Sequence, residues 1–562
     1  MQSPPKIIPS VFSIGLFCLT SSLFAQTEGG EMESLGQTFG SGAGDLFGHR
    51  ISPAGDVNQD GVLDVLVGAW RASPGGLTRA GAAYVYSGAD SSLLLEWNGA
   101  NTKDALGKSV CAVGDINGDG FDDILLGAPG ADPFGVENAG TAWLCSGADG
   151  SLLHKWNGET AFGALGSEVS GIKDLNGDGR PDVLISASGL GEVSAYATNH
   201  GNMLRQWSGP VRHGFGVSID AIRDLDGDGL DEVLIGANRF GGSSPRGAAY
   251  LYSGGTGSLI MDWKGMNQGD GFGISVSRAG DLDGDGLDDI IIGAPLASEN
   301  GRSGSGSAYA FSGLDGELLF QWDGLAAGDA FGHSVSNAGD VNGDGQPDVI
   351  VGAYLVDKGS LLDVGMFTIF NGRDGSDLLH RRGQKEGANF GNSVSAVGDI
   401  NQDGRDDVMV GIFHLNFGGM PETGSTVVLG FNPYIKVNTQ SISVSAGGEL
   451  RFRFNFPLAA AGFRYKVLLS ATGIGPTMYG VNIPLSLDDA LLDSFDGIYP
   501  VAVNSQLHGF LDASGQGNAS LTFDSGLRTL LTGRTVWFAA IANEPGELPG
   551  HTSIVIPVTL VP

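Results

Sequence analysis

The chain predicts an all-β fold, a seven-bladed β-propeller followed by a C-terminal β-sandwich, and three observations carry the prediction. An acidic loop recurs seven times, its first aspartates being Asp56, Asp115, Asp174, Asp224, Asp281, Asp340 and Asp399, at separations of 59, 59, 50, 57, 59 and 59 residues. A glycine stands eight residues before each of them: Gly48, Gly107, Gly166, Gly216, Gly273, Gly332 and Gly391. Each of the first six units holds four short strand-like runs and the seventh holds three, and helical periodicity is absent throughout. A period of this size marks a solenoid, a propeller or an array, and it overrides the two to four domains that 562 residues would otherwise imply. A solenoid would need one strand per rung at a shorter period, and separate modules would need linkers that the sequence lacks. Seven units built of such antiparallel strands make a propeller the economical solution.

Residues 1–25 come first. Lys6 precedes an apolar run that starts at Ile7, breaks at Pro9 and resumes from Val11 to Phe24 ahead of Ala25. This is the pattern of a secretory signal peptide; an N-terminal membrane anchor is the alternative, disfavoured by the short run and its Ser and Thr.

The propeller is expected over residues 26–432. Between glycine and aspartate the residues alternate, as in Ser334-Val335-Ser336-Asn337-Ala338, and an apolar run such as Val349-Ile350-Val351 follows the loop, so loop and flanks make a hairpin. An aromatic third strand comes next, Ala82 to Tyr86 or Ala248 to Tyr252, then a turn and a fourth strand ending in Trp, Leu93 to Trp97 or Leu318 to Trp322. The 50-residue spacing loses residues only from connections. Unit seven has its third strand at Thr426 to Phe431 and no fourth strand after it. A shift of 59 lays Leu35 on Leu94 and Thr38 on Trp97, so Glu33 to Thr38 is predicted to complete the last blade and cover its edge.

In residues 433–562 the repeat is absent. Strand-like runs from Ser441 to Val561 point to the separate β-sandwich, with no recognisable chemistry. Only Cys111 and Cys145 remain once the leader is removed, too few for a disulfide framework. They fall on the first and third strands of one unit and are expected to be buried free thiols.

Composition narrows the function. A formal charge of −33 excludes a nucleic-acid footprint and disfavours anionic membrane surfaces. The 95 glycines follow no G-X-Y period and 41% of residues are hydrophobic, which leaves a turn-rich β protein. The carboxylates are massed in loops of calcium grammar. In Gly271 to Pro295, Asp281, Asp283, Asp285 and Asp289 occupy loop positions 1, 3, 5 and 9, Gly286 turns the chain at position 6, and Leu287 at position 7 needs only its carbonyl. Short carboxylates on alternate residues of a tight loop can converge on a hard cation that takes six to eight oxygens. Seven divalent ions would relax the charge from −33 to about −19.

These units resemble FG-GAP repeats, the building block of integrin alpha-chain propellers and of many secreted bacterial proteins. The FG element is Phe47-Gly48, Phe215-Gly216, Phe272-Gly273, Phe331-Gly332 and Phe390-Gly391, with Leu106-Gly107 and Leu165-Gly166 departing; the GAP element is intact at Gly127-Ala128-Pro129 and Gly293-Ala294-Pro295. The resemblance covers roughly residues 33–431 and implies Ca²⁺, up to seven ions, between the first two strands of each blade. Its ligand set here is Asp56, Asn58, Asp60 and Asp64; Asp115, Asn117, Asp119 and Asp123; Asp174, Asn176, Asp178 and Asp182; Asp224, Asp226, Asp228 and Glu232, with Glu departing from Asp at position 9; Asp281, Asp283, Asp285 and Asp289; Asp340, Asn342, Asp344 and Asp348; and Asp399, Asn401, Asp403 and Asp407. The tail resembles, more weakly, C-terminal modules of secreted marine bacterial proteins.

Catalytic signatures are missing: no G-x-S-x-G elbow, no H-E-x-x-H, no phosphate loop, and nine His scattered without ligand spacing. Trp97, Trp156, Trp207, Trp263 and Trp322 repeat at one position and read as outer-strand packing rather than sugar platforms. The sequence therefore predicts a secreted, calcium-binding propeller, not an enzyme, that acts in adhesion or binds an extracellular protein or glycan, with no membrane insertion of the mature chain. The alternatives are a purely structural surface protein, or a hydrolase or lyase acting on polysaccharide or phosphoester, which would need His, Lys, Arg or Tyr converging on one face. Ligand contacts are expected from the variable loops between second and third strands, opposite the calcium loops.

Overall fold

A computed structural model describes residues 30–241 and 245–433, and beyond these only the strands between 435 and 561. The leader expected over residues 1–25 lies outside the described residues. Seven four-stranded antiparallel sheets follow one another along the chain. In the first, Arg50–Gly55, Asp64–Ala69, Ala82–Tyr86 and Leu93–Asn98 pair in sequence order. The first strand of each blade touches the first strands of both neighbouring blades, and the seventh touches the first, so a closed ring of first strands surrounds the axis. This is a seven-bladed β-propeller. No helix among the described residues is long and apolar enough to cross a membrane.

Blades stack through their second strands, whose six residues are buried throughout in blades one, three, four, five and six. The FG residue seals each interface: Phe47, Leu106, Phe215, Phe272, Phe331 and Phe390 are at most 4% exposed, and Leu165 is 7% exposed. Replacing Phe by Leu in units two and three preserves an apolar plug, which is why those units keep the fold.

The glycines are explained by contact of backbone with backbone. Gly332 has φ of 84°, and a Cβ there would lie 2.2 Å from the Ser307 carbonyl oxygen of the preceding blade. A Cβ on Gly293, the GAP glycine of that blade, would lie 1.9 Å from the Gly332 carbonyl oxygen. The same pairing joins Gly411 to Gly48 and closes the ring. Blade three departs, with Ser186 in place of the GAP glycine, and its hydroxyl donates to the Gly216 carbonyl at 2.7 Å. Gly332→Ala is therefore expected to cost about 2–4 kcal/mol, combining left-handed strain with a carbonyl clash. Urea denaturation at constant m-value measures it, and a loss below about 0.5 kcal/mol would mean that the blades simply slide apart to make room.

A second inter-blade contact lies at the rim. The indole N–H groups of Trp97, Trp156, Trp263 and Trp322 donate to the carbonyls of Gly150, Gly201, Gly316 and Gly375, in the turn between the third and fourth strands of the next blade, at 2.8–3.1 Å. All five repeating tryptophans are 4–8% exposed, so they pack and do not offer a sugar platform. In Trp207 the indole nitrogen has no partner, and the Arg205 guanidinium reaches the next blade's turn instead, at the Gly255 carbonyl.

Gly30–Phe39 is the fourth strand of the last blade, antiparallel to Ser425–Pro433 with Thr38 opposite Thr426. That is the register of Trp97 opposite Ala83 in blade one, as the 59-residue shift predicts. The Thr38 and Thr426 hydroxyls are 2.7 Å apart and buried. Cys111 and Cys145 are free thiols on the first and third strands of blade two; Cys145 is buried as expected, whereas Cys111 is only part-buried. In the tail the described strands form a four-stranded, a six-stranded and a two-stranded sheet, and Phe452 and Phe538, one from each of the two larger sheets, are fully buried with ring centroids 5.2 Å apart.

Candidate metal centre

All seven acidic loops join the first strand of a blade to its second, on one face of the ring. Each is built by its own carboxylates acting on its own backbone. In blade five the position-1 carboxylate of Asp281 accepts the N–H groups of Gly284 and Gly286, and Asp283 and Asp285 accept those of Asp285 and Leu287. Asp56, Asp115, Asp174, Asp224, Asp340 and Asp399 likewise accept the N–H of the glycine five residues on. The loops are thus shaped by Asx-type turns, and their oxygens are drawn inward as a consequence.

Convergence is greatest in blades four and five. Carboxylate oxygens of Asp224, Asp226 and Asp228, and likewise of Asp281, Asp283 and Asp285, lie within 4.8 Å of one another. Three like charges that close repel strongly, and a hard divalent cation is what such an oxygen set fits. In the other five loops Asn58, Asn117, Asn176, Asn342 and Asn401 take position 3, which keeps an oxygen donor and removes one charge.

Position 9 behaves differently. Asp64, Asp123, Asp182, Glu232, Asp289, Asp348 and Asp407 stand at, or in blade two just before, the start of the second strands and are 0–1% exposed. Their carboxylates tie the loop down: Asp289 accepts the Leu282 N–H at 2.7 Å and, from the turn between the third and fourth strands, the Gly313 N–H at 3.0 Å. Asp64, Asp123 and Asp348 do the same with Gly88, Gly147 and Gly372. Two bonds leave lone pairs free for an ion, so a structural and a ligating role are compatible. Burial, reinforced by neighbouring carboxylates, pushes Asp64, Asp123, Asp182 and Asp289 up to about 6, Glu232 and Asp407 up to about 7, and Asp348 well above the carboxylate range.

Position 8 carries a role that the loop grammar gave no reason to expect, joining one loop to the loop of the preceding blade. Asp231 pairs with Lys173 at 2.8 Å, Asp288 with Arg223 at 3.2 Å, and Asp406 accepts the Asp340 N–H at 2.8 Å. The sequence does hold the signal: a basic residue just before one loop is matched by Asp at position 8 of the next.

On the opposite face the connections between second and third strands share a backbone more closely than their sequences do. Short 3-10 turns recur at Pro74–Gly76, Pro133–Gly135 and Glu299–Gly301, and each connection is closed by a bond from its last glycine, Gly81 to Ala72, Gly140 to Ala131 and Gly306 to Ala297. Different side chains ride on one scaffold. At the axis of this face the first-strand starts bring together His49, Lys108 and His333, with Trp70, Arg71, Tyr354 and Phe413 entering from the ends of the second strands. A convergent basic set therefore exists, although no insertion announces it. The residue after the FG glycine was its available signal: His, Lys, Ser, Val, Ile, His and Asn in turn.

Comparison with known proteins agrees with this architecture. A family model described as FG-GAP repeat matches residues 47–86, 107–145, 272–311 and 331–366, and an FG-GAP-like repeat model matches 174–235. Similar proteins include integrin alpha-5 of Xenopus laevis, 39% identical over 184 residues that make up 30% of this chain and 17% of the relative. Integrin alpha-V of Gallus gallus is 31% identical over 261 residues, 46% of this chain and 21% of the relative. Integrin alpha-4 of Xenopus laevis is 36% identical over 166 residues, 28% and 16% of the two chains. The matched region thus spans about a fifth or less of each of these relatives.

Proposed function

We propose, from the premise that this chain carries an FG-GAP, integrin-alpha-like β-propeller, that it is a secreted or cell-surface binding module, non-catalytic, whose ring is held by calcium and whose ligand is an extracellular protein or glycan. The domain plan that goes with this reading is a signal peptide at 1–25, the propeller at 26–432 and a C-terminal β domain at 433–562. The seven acidic sets named above, Asp56 to Asp64 through Asp399 to Asp407, hold the cations by their oxygens. A bound divalent cation offsets two of the three or four negative charges of each loop and stiffens the hairpin beneath it, leaving the other face to bind.

One observation carries the choice of face: connections of common backbone and differing side chains, in blades one, two and five. A repeated scaffold with varied decoration is how a rigid ring presents specificity, whereas the acidic face repeats a single solution. A chimera tests it, with the connections of blades one, two, five and six cut to the short form of blade three, near Gly189. Binding to extracellular-matrix proteins and glycans is expected to fall by more than about tenfold, with calcium-dependent melting retained. Undiminished binding would move the site to the acidic face or the tail, and a turnover activity lost on trimming would revive the hydrolase or lyase reading.

A further inference from the structure

We infer that the mouth of the central channel, on the variable-loop face, is a site for a single oxyanion, a carboxylate or sulfate carried on a sugar residue. The inference rests on the reading of that face as the binding face and supplies its ligand chemistry. Positions equivalent around the ring would be expected to match if the repeat alone dictated them. They do not: blades six, seven, one and two place His333, Asn392, His49 and Lys108 after the FG glycine, while blades three, four and five place Ser167, Val217 and Ile274. Function that departs from a repeat leaves this kind of mark.

The contacts show what is missing. The Lys108 ammonium lies 3.3 Å from His49 Nε2, which must accept, so His49 Nδ1 bears the hydrogen. That Nδ1 is buried without a partner, as are Arg50 Nε, Trp70 Nε1 and Arg71 Nε. All four are donors, and no acceptor meets them. Lys108 and Arg71 each stand 4.7 Å from the Trp70 ring centre, and Glu168, bonded to Arg50 and to the Ser109 hydroxyl, is the carboxylate set against these cations. The surplus of positive charge is felt: burial, with Arg50 next, pulls Lys108 down to about 8, and burial with Arg50 and Lys108 pulls His333 down to about 4. Unmatched donors and unmatched cations both call for acceptor oxygens bearing negative charge.

The surroundings favour a sugar as the carrier. Trp70 and Phe413 stand against His49 with ring centroids 5.9 and 5.8 Å away, and Tyr354 lies 4.4 Å from His333, so flat apolar walls border the donors. A few polar groups bordered by aromatic rings are the composition that recognises a small polar ligand with an apolar face. The chain's charge of −33 also disfavours a polyanion and leaves a single acidic group as the better match.

The test uses the full chain with Ca²⁺ present, titrated with glucuronate, a monosulfated glucose, glucose and N-acetylglutamate, and observed by NMR and calorimetry. Both acidic sugars, or one of them, are expected to bind and glucose not to; which one binds separates carboxylate from sulfate. Lys108→Gln and Arg71→Gln should each weaken binding by about tenfold or more, and Lys155→Gln, the same charge change beside Trp143, by less than about twofold. Retained affinity in Lys108→Gln at unchanged melting temperature overturns the site. So does failure of both acidic sugars to bind the folded chain. N-acetylglutamate binding as tightly as glucuronate overturns the sugar assignment. Loss of macromolecular binding in the loop chimera with none in Lys108→Gln leaves the binding face standing and defeats the axial site alone.

Discussion

Chelating divalent cations lowers the melting temperature of the full chain by more than any surface substitution does, and added Ca²⁺ restores it. The expectation follows from the loops of blades four and five, where three carboxylates approach within 4.8 Å. An ion that binds only the folded loop adds about 2.7 kcal/mol per site at a hundredfold excess over its dissociation constant, so these two loops alone are worth about 5 kcal/mol. The effect depends on pH, with a definite sign. With no metal bound, burial holds the position-9 carboxyls above their unfolded values, Asp64 up to about 6, Glu232 and Asp407 up to about 7, and Asp348 well above the usual range. The cation-free fold therefore binds extra protons and becomes less stable as pH rises from about 4 through about 7. Protons compete with the ion over the same window, so the gain on adding Ca²⁺ should be small near pH 5 and full near pH 8. Calorimetric melting at both values, with elemental analysis of bound metal, settles the matter: an equal gain at both, or no bound metal, contradicts the proposed centre.

Deleting residues 27–40 is expected to have the second-largest effect. It removes the strand Gly30–Phe39 and uncovers the whole of Ser425–Pro433, whose pairing runs from Gly30 opposite Pro433 to Phe39 opposite Ser425. It also removes the carbonyl of Met32, which accepts from the Arg381 guanidinium of blade six. An open edge of that length templates pairing with another chain. The shortened protein should associate, with a lower unfolding midpoint, when followed by light scattering and urea titration. A monomer of undiminished stability would show that closure is made by other contacts.

Much of this was legible because the repeat samples each position seven times. Strand order, ring closure and the register of Thr38 opposite Thr426 all followed from a constant spacing. The acidic loops stood out for the same reason. What stayed hidden was contact between units. Nothing in one unit announces that the FG and GAP glycines of neighbouring blades touch, or that position 8 of one loop clamps the loop before it, since both depend on how blades stack. The axial cluster was hidden more deeply. Lys108 and His333 are 225 positions apart and carry no motif, and only the ring brings both to one mouth. Alignment emphasises what repeats, and that cluster consists of residues that do not.

The strand that closes the ring also sets an order of events. Six blades can assemble from contiguous stretches of about fifty residues, so each can form soon after it is synthesised. The seventh cannot, because Thr38 must find Thr426, a partner 388 residues downstream. Until then Gly30–Phe39 waits unpaired and blade seven lacks its outer edge, with a closure entropy that grows only slowly with that separation. The last step of folding is thus a search by the propeller's first strand, and the slowest phase of refolding should report on that strand and its partner Ser425–Pro433 rather than on the strands of the other six blades.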